Sequence, residues 1–141
     1  MQNLLYAIIQ VIHNFGAATV VGSAASALWL LRDGGAVRGD AAVHRRLALL
    51  SAAAWAVQAA SGALFGITTY YFENHLPDIH GIAVDALLVK IFCAITGFML
   101  AVTCAWSKSS WSRNRQLLAW RALLATGAIA LGSAAFLRWY S

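Results

Sequence analysis

The sequence predicts an all-α integral membrane protein: an up-down bundle of four transmembrane helices with both termini on the outer side. Three observations carry this. Hydrophobic residues fill 61% of the 141 positions and charged residues only 11%, against about 45–50% and about 25% in an ordinary soluble domain. A water-facing surface of that composition would aggregate, whereas a lipid-facing one removes the conflict. Four apolar stretches each reach the length of about 20 residues that a bilayer crossing needs. Apart from Lys90, the basic residues sit between these stretches or within a few residues of their ends.

The four spans are expected over residues 4–31, 47–72, 80–106 and 117–139, in a single domain of residues 1–141. Backbone groups cannot stay unpaired in hydrocarbon, so a span is a helix or part of a closed barrel. These stretches are long and continuously apolar, without the ten-residue alternation of barrel strands, so they read as helices. The N-terminal stretch lacks a basic leader region and reads as a retained span rather than a signal. Its partner across the first connection, RDGGAVRGDAAVHRR, is separated by a flexible basic segment. The second connection, ENHLPDI, is short and acidic, and its Pro77 precedes the third helix, where proline suits a helix start. The third connection, SKSSWSRNRQ, is basic again.

Orientation follows from charge. Arg32, Arg38, Arg45 and Arg46 flank the first connection, and Lys108, Arg113, Arg115 and Arg121 flank the third, with only Arg138 on the opposite side. Positive connections stay in the cytoplasm, which puts both termini outside. Aromatic residues form two matching belts: Tyr6, Tyr70, Tyr71, Trp139 and Tyr140 at the outer ends, and Trp29, Trp106, Trp111 and Trp120 at the inner ends. Short connections make sequential helices neighbours. Small residues at four-residue spacing (Ala18, Gly22 and Ser26; Gly62 and Gly66; Gly97 and Ala101) are candidate packing ridges.

The net charge of +5 reflects topology rather than nucleic-acid binding, because the cations flank the spans. Cys93 and Cys104 lie eleven positions apart in one span without a CxxC pair, and read as small buried residues. No phosphate-binding loop, dinucleotide fingerprint, HExxH or GxSxG occurs, which argues against a nucleotide-driven pump or a hydrolase.

Polar groups inside a bilayer are costly, so each one asks for a reason. Those in or near the spans are Gln10, His13, Asn14, Gln58, Ser61, Thr69, His80, Asp85 and Lys90, with Glu73 and His75 in the acidic connection. At about 1.5 Å per residue, His13 lies about 10 Å below the outer aromatic belt. His13, His75, His80 and Asp85 are therefore expected to gather in the outer half, with Lys90 at the floor of that region. Histidines on facing helices suit haem b, and His13 with His80 are its candidate axial ligands, Asp85 and Lys90 lying beside it. Copper is the alternative, held by His13, His75 and His80. His44, in the basic connection, is expected to be solvated or near lipid headgroups.

Two segments carry a family resemblance. IHNFGAATVVGS (Ile12–Ser23) and LLVKIFCAITGFMLA (Leu87–Ala101) together resemble the small membrane proteins of the copper-resistance D type and the HemJ-type protoporphyrinogen oxidases. In those families a first-helix histidine is followed by a Trp-x-Gly-like element, and a later helix carries a Leu-x-x-Lys-like element. Here the histidine is His13, the glycine Gly22 and the lysine Lys90, while the tryptophan position holds Val20. The resemblance implies a haem, porphyrin or copper role resting on His13 and Lys90.

The leading expectation is a haem b or porphyrin site between the first and third helices. It would serve membrane electron transfer, alone or as a small subunit of a respiratory-type complex, with a quinone as a candidate partner. An enzyme of this kind would be an oxidoreductase. The alternatives are a copper-handling protein and a non-catalytic subunit of a membrane complex. A bacterial inner membrane is the expected location.

Overall fold

A computed structural model describes residues 2–32, 41–75, 79–107 and 111–140. Arg38, Pro77, Asp78 and Lys108 lie outside these ranges. The described residues form four helices, α1 (Gln2–Arg32), α2 (Ala41–Glu73), α3 (Ile82–Trp106) and α4 (Arg113–Tyr140). All four are long and apolar enough to cross a membrane. The shortest, α3, has 25 residues and so extends about 38 Å, beyond the hydrocarbon core of about 30 Å.

The helices form a square. Each packs on its sequence neighbours and α4 closes on α1, while no Cα pair from α1 and α3, or from α2 and α4, approaches within 8 Å. One end of the square carries both termini; the other carries the two basic connections. At the basic end, Arg113 donates from Nη2 to the Leu31 carbonyl at 2.7 Å. That satisfies one of the carbonyls that a helix C-terminus leaves unpaired and ties α4 to α1. At the terminal end, α2 stops at Asn74, whose φ of 56° is the left-handed conformation common after a helix.

Lipid exposure explains the surface. Phe15 is 72% exposed and Phe92 69%, which a water-facing surface does not sustain in such numbers. Trp29 and Trp106 are exposed near the basic end, and Tyr70, Tyr71 and Trp139 near the terminal end. Trp120 does not join them. It is buried and lies beside His44, ring centroids 6.2 Å apart. Both helices begin earlier than expected, at Ala41 and Arg113, so His44 sits inside α2 and Trp120 about two turns into α4, and both turn inward. His44 is accordingly half-buried rather than solvated.

The core of the basic half is built from small residues around two indoles. Ala24, Ala27, Ala48, Ala52, Ala101 and Ala105 pack with Val20, Trp55, Trp120 and Leu123. Trp55 reaches α3 because Gly97 has no side chain; a β-carbon there would collide with the indole. Gly127 meets Val20 and Val21 in the same way. Two of the expected packing ridges face elsewhere. Ala18, Gly22, Ser26 and Gly62 are exposed, Gly66 is half-exposed, and a β-carbon on any of these three glycines meets open space. A helix that is apolar all round gives no sequence signal for which small-residue stripe turns inward.

Overpacking a filled core typically costs about 1–3 kcal/mol, whereas a surface change away from contacts stays within about 0.5 kcal/mol. Gly97→Val is therefore expected to lower the thermal unfolding midpoint in detergent by several degrees, and Gly22→Val to leave it nearly unchanged. Equal midpoints for the two variants would refute the Trp55–Gly97 contact.

Candidate functional site

Three helices converge on one side chain. His13, on α1, is 8% exposed and sits between a hydroxyl and an amine. Its Nδ1 lies 2.7 Å from Ser61 Oγ of α2, and its Nε2 lies 3.1 Å from Lys90 Nζ of α3. The Phe65 ring meets the imidazole edge-on, centroids 6.0 Å apart. The His13–Lys90 contact thus crosses the diagonal of the square, where the two helix backbones do not touch.

Counting protons assigns the donors. Ser61 has one hydroxyl proton, and its Oγ lies 2.6 Å from the Val57 carbonyl, which can only accept. Ser61 therefore accepts from His13, so Nδ1 carries the ring proton. Nε2 is left with its lone pair and accepts from the Lys90 amine. The same count settles the pair 10 Å or so nearer the termini along α1: Thr69 donates to the Phe65 carbonyl at 3.0 Å, and Tyr6 donates its hydroxyl to Thr69 at 2.9 Å.

The backbone beneath His13 is also held. Gln58 donates from Nε2 to the His13 carbonyl. That carbonyl belongs to a helix with a glycine three residues on, and a β-carbon at Gly16 would meet the Gln58 amide at 2.7 Å. Gly16 is thus what lets Gln58 lie against α1. Gly16 does not stand out in the sequence, and Ser61 is there only one of several intramembrane polar residues. A serine in an apolar helix ordinarily bonds back to its own turn, as Ser61 does, and its second contact shows only when α1 is in place.

The other expected site residues lie elsewhere. His80 is exposed and precedes α3, separated from it by Gly81 at φ 53°. Lys90 is eight residues into α3, so His80 stands about 12 Å or more toward the termini from the His13–Lys90 level. His75 is exposed, with Nε2 3.7 Å from Glu73 Oε2. Asp85 is exposed and lines a groove between α3 and α4. His13, His75 and His80 are not brought together, and among the described residues no group of three or more His, Cys, Asp or Glu side chains converges where it could hold a metal ion. Gln10 and Asn14 bond to each other on the exposed face of α1. Cys93 and Cys104 are free thiols. Three buried polar atoms of α2, His44 Nδ1, Ser51 Oγ and Trp55 Nε1, lack a partner among the described residues, and all lie toward the basic end.

Comparison with protein-family models, with curated proteins and with solved structures finds no match.

The donor assignment has a direct check. In ¹⁵N spectra of the histidine-labelled protein in detergent, His13 is expected as the Nδ1–H form, with Nε2 as the acceptor nitrogen. An Nε2–H form would overturn the assignment. Replacing Ser61 with alanine is expected to cost about 1 kcal/mol, in the range of intramembrane hydrogen bonds.

Proposed function

We propose that this chain binds haem b or a related porphyrin between α1 and α3 and passes electrons within the membrane. In this reading it is a small bacterial inner-membrane protein, its termini on the outer side and its basic connections in the cytoplasm. The observation that carries the reading is the 3.1 Å approach of His13 Nε2 to Lys90 Nζ from diagonally opposite helices. Haem asks a protein for axial bases and an apolar slot. Here two nitrogen bases from diagonally opposite helices point at one another inside the bundle. They are also the two positions that carry the resemblance to the HemJ-type and copper-resistance D-type proteins.

The donor chemistry fits an iron, with His13 and Lys90 as the residues that would hold it. Neither described groove reaches His13 or Lys90, so admitting a ring entails spreading α1 from α3. Haem, when bound, supplies one-electron redox chemistry. Ser61 holds the imidazole by its Nδ1 proton and so keeps Nε2 aimed across the bundle, as a hydrogen-bonded partner orients a ligating histidine. Gln58 fixes the α1 backbone at the same level. Lys90, not His80, is the base opposite His13.

A quinone is the membrane-soluble electron partner this reading implies. The exposed small-residue stripe Ala18, Gly22 and Ser26 suits close approach by a helix of a neighbouring subunit, which supports a place in a larger complex. No observation favours copper, because the three histidines stand apart.

Protein purified in mild detergent from haem-replete cells is expected to show a Soret band that shifts on reduction. His13→Ala should abolish it and Lys90→Met should abolish or shift it, while His80→Ala leaves it intact. A colourless wild-type preparation would contradict the reading.

A further inference from the structure

One face of α1 is turned away from the bundle. Gln10, Asn14, Ala18, Gly22 and Ser26 follow one another at four-residue spacing and all are exposed, while α1 packs on α2 and α4 with its other side. Asn14 stands eight residues past Tyr6 and so about 12 Å below the outer aromatic belt, close to the middle of a hydrocarbon core of about 30 Å. Its stem is too short to lift the carboxamide back to the headgroups. Gln10 Nε2 donates to Asn14 Oδ1 at 2.7 Å. Both N–H groups of Asn14 and the side-chain carbonyl of Gln10 are left without a partner among the described residues. The exposed hydroxyls of Thr19 and Thr103 differ, because each gives its proton to a carbonyl of its own turn. Gln58, the other carboxamide inside a span, is turned inward and bonds to α1. The Gln10–Asn14 pair therefore presents unused donors and an unused acceptor to hydrocarbon, which can answer neither.

We propose that the chain pairs with a second copy of itself through this face, two α1 helices lying side by side about a two-fold axis along the membrane normal. Polar complementarity selects the occupant. A carboxamide carries both N–H donors and a carbonyl acceptor, so it is matched by another carboxamide and not by a lipid tail. The basic connections set every copy in the same direction across the membrane. About such an axis each residue meets its own counterpart at equal depth, Asn14 against Asn14 and Gly22 against Gly22. Two reciprocal hydrogen bonds between the asparagines follow, as a single asparagine at a helix seam fixes register in coiled coils. Slipping one helix by a turn would set each carboxamide against Ala18 and lose them. The small residues beneath supply the other requirement, close approach of the two backbones. A β-carbon at Gly22 meets open space in one chain, the room that a second backbone takes up.

The test is energy transfer between donor- and acceptor-labelled copies of the whole chain in phosphatidylcholine vesicles, followed as the protein-to-lipid ratio is lowered. Wild type is expected to titrate as a dimer. Asn14→Leu should weaken association about tenfold, as the loss of two intramembrane hydrogen bonds implies, and Gly22→Leu should weaken it at least as much. Gly62→Leu adds a side chain on α2, also into open space, and should leave association unchanged. Unchanged helical circular dichroism and melting establish that the variants fold. A second readout locates the contact: in oxidised native membranes Gly22→Cys should form a disulfide-linked dimer and Gly62→Cys should not. Monomeric wild type across the titration, or association equal in wild type and Asn14→Leu, overturns the proposal. So does cross-linking of Gly22→Cys to a different polypeptide rather than to itself. The pairing rests on this face alone and not on the haem reading. The Soret band is recorded on the same vesicles, so the two fail separately.

Discussion

A lysine amine in the middle of a membrane helix costs about 2.5–3.5 kcal/mol unless something in the protein receives it. Among the described residues no carboxylate pairs with Lys90, and its acceptor is the lone pair of His13 Nε2. That lone pair is available because Ser61 takes the ring proton on the other side. One constraint thus sets the rotation of three helices: α3 must turn Lys90 inward, α1 must turn His13 to meet it, and α2 must present Ser61. Gln58 and Gly16 then hold α1 against α2 at that height. Without the amine, neither the imidazole nor the hydroxyl would need to occupy the bundle centre.

The two halves of the bundle divide the work. Toward the basic connections the interior is alanine, glycine and two indoles, packed closely enough that Trp55 occupies the space a side chain on residue 97 would fill. Toward the termini it is polar: Tyr6 with Thr69, then His13 with Ser61 and Lys90. Dispersion contacts hold membrane helices together where no hydrophobic driving force exists between them, and the basic half supplies those. The polar half has fewer such contacts and more directional ones.

The spans, their number and the intramembrane His13 and Lys90 were legible in the sequence because hydrocarbon forbids what water permits. A stretch of twenty-odd apolar residues has one reading, and a histidine or lysine inside it asks for a partner. Rotation about the helix axis was legible only in α3, where Gly97 and Ala101 turn inward as expected. Lipid and core are both apolar, so nothing in the pattern of α1 says that Gly22 faces outward. Depth along the chain suggested that His75, His80 and Asp85 would gather with His13. It carries no information on azimuth, and it treated His80 as part of a helix that begins only after Gly81. Ser61 was visible as an intramembrane polar residue but its contact was not: a hydroxyl that bonds to its own turn looks the same whether or not a second helix leans on it.

The central claim is that His13 and Lys90 interact directly across the diagonal, and a double-mutant cycle on unfolding free energy in detergent tests it. His13→Ala, Lys90→Met and the pair are compared with wild type. Residues in contact couple by about 0.5–3 kcal/mol, whereas residues more than about 7–10 Å apart are additive within about 0.5 kcal/mol. A coupling of about 1 kcal/mol or more is the result predicted here. Additive losses would mean that the amine and the imidazole do not meet, and the site built on them would not stand.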